Sequence, residues 1–157
     1  MKQSAWALAA LGALAVGTAM AETAPAEVTF DESGAIDNSL TGTPGDASAG
    51  ATVIADKGVG NCVACHQISS INADFQGNIG PPLDGAGDRW SQAQLRGIVV
   101  DAKHTFEGSM MPSFYKTGPY IRPGDAFTGK APAGALPPLL TASQIEDVVA
   151  FLETLKH

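Results

Sequence analysis

The chain has 157 residues, 16 acidic against 9 basic, and a net charge of −7 at neutral pH. That balance argues against nucleic-acid binding, and the length suits one domain with its own core. Two cysteines in all exclude a disulfide-rich scaffold.

The first 21 residues read as a leader rather than as structure. Lys2 supplies a positive start, Trp6 to Met20 is uncharged and apolar, and Ala19-Met20-Ala21 fits an A-x-A cleavage site. The apolar run is short for a bilayer span, and no later run is long enough. The expectation is a signal peptide over 1–21, no membrane span after its removal, and export, most simply to a bacterial periplasm. An uncleaved anchor is the alternative.

Residues 22–45 form an acidic arm. It holds Glu22, Glu27, Asp31, Glu32 and Asp37 and no Lys or Arg, and it ends in the turn-forming run Leu40-Thr41-Gly42-Thr43-Pro44-Gly45. Its apolar spots, Val28, Phe30 and Ile36, are too few to fold the segment alone. Composition leaves open whether it is disordered or laid across another surface.

Asp46 caps a predicted helix over Ala47 to Lys57, with Gly50, Val53 and Ile54 on one face. Gly50 marks a place for close helix packing, since a mid-helix glycine is otherwise unfavourable. Gly58-Val59-Gly60 then frees the backbone before the next motif.

That motif is Cys62-Val63-Ala64-Cys65-His66, a C-x-x-C-H run. This is the attachment pattern of a c-type haem: two thiols at this spacing add to the vinyl groups of one porphyrin, and the following histidine becomes an axial ligand of the iron. Three other readings compete with it. A Cys62–Cys65 disulfide closes a tight, redox-active loop. A thioredoxin-like site needs a βαβ setting that is not visible. A zinc site needs a second ligand pair, and only His104 and His157 remain.

Gln67 to Asp88 reads as a glycine-rich loop containing Gly80-Pro81-Pro82-Leu83. A metal-bound histidine usually donates its other ring N–H to a fixed acceptor, and a carbonyl of this stretch suits that role; an ordinary proline turn is the competing reading. Ser91 to Val100 is a predicted helix with a Ser91/Gln94 capping box and a Leu95, Ile98, Val99 stripe. Arg89, Trp90 and Arg96 beside it are candidate haem-propionate contacts, against a solvated-face or core role.

Thr105 to Tyr115 carries Met110-Met111-Pro112-Ser113-Phe114. A thioether is a soft iron ligand, so Met111, Met110 and His104 are the candidates for a sixth ligand, with Met111 favoured. An open site is the remaining alternative. Lys116 to Leu140 is irregular and long for a bare connector, which suggests a contact surface. The chain closes with a predicted helix, capped by Thr141 and Gln144, whose Ile145, Val148, Val149, Phe151 and Leu152 recur at helical spacing. Few helices, long Gly/Pro loops and no β-pattern make an all-α chain whose missing interior a haem would supply.

The order of a glycine-containing helix, C-x-x-C-H, G-P-x-L, M-P-x-F and a terminal helix resembles class I cytochromes c over about residues 46–157. The resemblance implies one covalent haem c on Cys62 and Cys65, iron ligands His66 and Met111, the Pro81 carbonyl as partner of the His66 ring, and a Gly50–Phe151 helix contact. Leu40 to Asp46, Gly60-Asn61-Cys62, Arg89 to Asp101, Met110 to Tyr115 and Ile145 to Leu152 are similar to the SoxX family of thiosulfate-oxidising systems. In that family the chain pairs with a SoxA-type cytochrome of one or two haems. The pair acts as an L-cysteine S-thiosulfotransferase that oxidatively joins thiosulfate to a cysteine of the carrier SoxYZ. The SoxX member holds no catalytic nucleophile and passes electrons to a cytochrome acceptor. A free-standing electron carrier and a haem enzyme such as a peroxidase are the alternatives.

Overall fold

The computed structural model describes residues 21–121, 123 and 129–157. The leader expected over 1–21 therefore lies, up to residue 20, outside the described residues, as do six positions of the 116–140 loop. Among the described residues there is no strand, and no helix is long and apolar enough to cross a membrane.

Four helices carry the fold: α1 (Ala47–Ala55), α2 (Ala86–Arg89), α3 (Gln92–Asp101) and α4 (Ala142–Thr154). The helices starting at Ala47, Gln92 and Ala142 are those the caps predict. Asp46 accepts from the N–H groups of Ser48 and Ala49, and Ser91/Gln94 and Thr141/Gln144 close reciprocal capping boxes. These bonds satisfy orphan donors of the first turn. The first helix stops at Ala55, short of the expected Lys57, because the Asp56 carboxylate turns to accept from the Gly58 N–H at 2.7 Å.

α2 falls mostly within the stretch that the sequence reads as loop. It is a single turn in a glycine-rich run, with no side-chain cap and a left-handed residue, Gly85 (φ +73°), before it. A Cβ at Gly85 would also meet the His157 ring, which would have to move aside.

α4 is the central element. α1, α2 and α3 all pack against it, burying Ile145, Val148, Val149, Phe151 and Leu152. Each such side chain contributes about 1.5–3 kcal/mol of transfer free energy. Gly50 is where α1 and α4 touch. A Cβ there would overlap the Asp147 carbonyl and press on Phe151 Cβ at 2.9 Å. The glycine expected to mark close packing does so, against the expected aromatic.

The acidic arm is laid across the domain. Ala35, Ile36 and Leu40 are buried, and Ile36 and Leu40 belong to the main core cluster. Thr23 N–H donates to the Leu40 carbonyl at 2.7 Å, and Ile36 N–H donates to the Ala93 carbonyl of α3 at 3.0 Å. Asp31 Oδ1 gathers the N–H of Ala35 and the N–H and hydroxyl of Ser33, each at 2.8 Å. These bonds, the Ala35 N–H first, hold its carboxyl below the usual range.

Arg96 joins arm, α3 and α4. Its Nε and a terminal nitrogen donate to the two Glu146 oxygens at 2.8 and 3.0 Å, and the other donates to the Ile36 carbonyl at 2.8 Å. Glu146 Oε1 also accepts from the Leu40 N–H at 2.8 Å. The propionate role for Arg96 is thereby overturned: each of its three nitrogens bonds inside the protein, and the side chain is buried.

Candidate functional site

The C-x-x-C-H run folds as one tight turn. Asn61 enters it in the left-handed region (φ +50°), which a short polar side chain tolerates. Gly58 and Gly60, where the sequence places that freedom, do not take a positive φ. Gly60 instead serves close approach: a Cβ there would meet the Val53 carbonyl oxygen at 2.5 Å. A 3-10 turn, Cys62–Ala64, follows, and the Cys62 carbonyl accepts from the N–H groups of Cys65 and His66 at 3.1 and 3.0 Å. Two thiols and an imidazole are thus presented from one turn. Val63 points into the core and anchors it.

The thiols are free, and Cys62 is partly covered by the core cluster. Burial pushes its thiol up to about 11, and the nearby Cys65 adds to the rise. A thiol this high is neutral at pH 7, unlike the low-pKa thiolate of an oxidoreductase. Among the described residues no group of three or more His, Cys, Asp or Glu converges to hold a metal ion.

The glycine-rich loop presses back on the turn. Gly77 N–H donates to the Val63 carbonyl at 2.8 Å, and Gly80 N–H donates to the Cys65 carbonyl at 2.8 Å. A Cβ at Gly77 would overlap the Ala64 carbonyl, and one at Gly80 would overlap the His66 ring. Gln76 closes the loop internally, bonding the N–H of Ile68 and the carbonyls of Ile68 and Ile71. The imidazole then meets its acceptor: His66 Nδ1 lies 2.7 Å from the Pro81 carbonyl oxygen. With Nδ1 as donor there, Nε2 is the ring nitrogen left with a lone pair for a metal.

The Pro81 loop is itself braced. Arg89 donates to the Asp84 carbonyl at 2.7 Å and to the Pro82 carbonyl at 3.3 Å. The Asp84 carboxylate accepts from the Ser69 N–H and hydroxyl. Trp90 is half-buried and meets Phe106 edge-on at 5.7 Å. Sequence reasoning grouped Arg89 with Arg96; the structure separates them into loop brace and core pair.

The candidates for a sixth ligand also separate. Met111 packs against the core cluster, whereas its neighbour Met110 is 83% exposed. His104 stacks on Phe30 of the arm, with ring centroids 3.8 Å apart, and His157 packs over Gly85. Met111 is the candidate facing inward without another ring engaging it. The paired-thiol turn and the oriented imidazole with one free nitrogen suit a c-type haem, and Met111 is the half-buried methionine of the two.

The cytochrome c family model matches residues 47–156. Among the solved structures that match is a crystal structure of SoxXA from P. pantotrophus, at 59% sequence identity and a TM-score of 0.83. That match covers 87% of this chain and 100% of the other. No curated protein gives a significant match.

Proposed function

The chain belongs to the cytochrome c family and, within it, to the SoxX group; on that premise we propose that it is the electron-transfer subunit of a thiosulfate-oxidising complex with a SoxA-type cytochrome. Cys62 and Cys65 would hold one haem c through thioether bonds, and His66 Nε2 and the Met111 sulfur would ligate its iron. When bound, that haem supplies a one-electron redox centre. The Pro81 carbonyl fixes the His66 ring and raises its basicity. Held by both His66 and Met111, the iron would be closed to substrate, which would favour electron transfer over catalysis.

The observation that carries this reading is the 2.7 Å His66 Nδ1–Pro81 contact, because it selects the free nitrogen on the same turn as the two thiols. The reacting chemistry belongs to the partner in this proposal. Joining thiosulfate to a cysteine of the SoxYZ carrier releases an electron pair, and this chain passes the electrons singly to a cytochrome acceptor. Its two thiols are committed to haem, leaving no cysteine nucleophile. The leader-like first 21 residues support a periplasmic setting.

The 116–140 loop supports a partner surface: Ile121 is 99% exposed, its neighbour Tyr120 is exposed, and so is Leu139 near the loop's end. The arm is a poorer probe of that surface, since deleting 22–45 removes Ile36 and Leu40 from the core. The test is the visible spectrum of the exported protein, with and without Met111→Ala, followed by co-purification with a SoxA-type subunit. A c-type spectrum carrying the weak long-wavelength band of methionine-bound ferric iron is expected, with that band lost in the variant. A high-spin spectrum points to a haem enzyme, and a haem-loaded monomer with no partner affinity points to a free carrier.

A further inference from the structure

Met111 lies in a stretch without regular secondary structure. Residues 110–113 make no backbone-to-backbone hydrogen bond with any other described residue, and Pro112 has no N–H to give. Side chains hold the Met111 main chain instead. The Ser109 hydroxyl accepts from its N–H at 3.3 Å, and Lys103 Nζ donates to its carbonyl at 2.6 Å. The second bond is the shorter and is charge-assisted. The Ser113 hydroxyl lies 3.5 Å from the same ammonium.

Lys103 is fixed by its surroundings. It sits in a 3-10 turn, Ala102–His104, that continues α3, with Ala102 buried beneath it. The Asp101 carboxylate accepts from the Lys103 N–H at 3.2 Å and lies 3.8 Å from Nζ. On the other side His104 stacks on Phe30, and Gly34 packs against the His104–Thr105 backbone. The ammonium therefore reaches Met111 from a turn clamped between helix and arm.

We propose that Lys103 is a positioning residue for Met111: by holding the Met111 carbonyl it keeps the thioether presented and slows its departure from the iron. This rests on the reading of Met111 as a ligand. The Lys103 side chain is 47% exposed, so water competes for the bond and its effect is moderate, about threefold to tenfold in the rate of methionine release.

The experiment uses the haem-loaded full chain as wild type, Lys103→Met, Lys103→Gln, Lys103→Arg and Met111→Ala. Two quantities are read: the rate at which imidazole enters the ferric protein, limited by departure of the native ligand, and hydrogen exchange of the residue 109–115 amides. The proposal expects imidazole entry about threefold to tenfold faster in the Met and Gln variants, faster exchange confined to that segment, and recovery in the Arg variant. Wild-type rates in both neutral variants, with the methionine band present in wild type and absent in Met111→Ala, overturn the positioning role while leaving the ligation reading standing. A methionine band that survives Met111→Ala overturns both.

Discussion

Arg96 and Glu146, fifty positions apart, form a two-pronged ion pair with bonds of 2.8 and 3.0 Å. Only 2% and 3% of their surfaces reach water. The pair also takes in the Ile36 carbonyl and the Leu40 N–H, so it fastens the arm as well as two helices.

Breaking that pair from one side strands the other charge. Arg96→Met leaves Glu146 buried without its counter-charge, and a loss of about 3–5 kcal/mol is expected. Urea denaturation of the haem-loaded protein reads it. Proteolysis within residues 22–45 is expected to accelerate in the same variant; an arm cut at the wild-type rate contradicts the fastening role.

Gly50→Val tests the α1–α4 contact. The added side chain must displace the Asp147 backbone or Phe151, with which even a Cβ collides. Overpacking of this kind costs about 1–3 kcal/mol or more. Thermal unfolding is expected to begin well below the wild-type temperature, and an unchanged midpoint would mean the helices separate freely.

Gly80→Ala tests the histidine setting. A Cβ at that position takes the space of the His66 ring, so the ring must turn and its bond to Pro81 weakens. Losing that bond lowers imidazole basicity and weakens its support of the oxidised iron. A reduction potential shifted upward is the expected result, measured by redox titration. A downward shift or none contradicts the role given to Pro81.

Tyr115 gives a pH prediction. Burial raises its phenol above the ordinary value of 10.0, with the Glu22 charge adding to the effect, and its hydroxyl donates to the Thr23 carbonyl of the arm at 2.8 Å. A raised folded value means that the stabilising contribution is complete below pH 10.0 and is lost as pH climbs from there through the folded value. Stability of the wild type is expected to fall across that window more steeply than that of Tyr115→Phe. Parallel curves for the two proteins would count against it.

Ile121→Asp tests the partner surface. The side chain is almost wholly exposed, so folding is expected to be untouched. Affinity for the SoxA-type subunit is expected to drop about tenfold or more if the residue sits near the interface centre. Titration by calorimetry reads this, and unchanged affinity removes the 116–140 loop from the proposed contact.

What could be read from the amino-acid order was whatever depends on near neighbours. Cys62, Cys65 and His66 are covalently spaced to share one turn. Asp46, Ser91 and Thr141 declare the helix starts because a cap bonds backbone two or three residues on. The Gly50 and Phe151 positions followed from helical period together with family resemblance. The one-turn α2 escaped because four residues have too little periodicity and no capping side chain to announce them.

Tertiary structure decided what depends on distant partners. Arg96 carries no sign in its own neighbourhood that Glu146 will meet it, so a solvated or cofactor-facing role was equally consistent with the chain. The arm reads as too polar to fold alone, and it does not fold alone: Ile36 and Leu40 complete a core supplied by α1, α3 and α4. Met111 and its exposed neighbour Met110 are chemically identical, and only the path of the backbone turns one inward. The reach of Lys103 to the Met111 carbonyl belongs to the same class, because a long side chain finds its acceptor in space rather than in sequence.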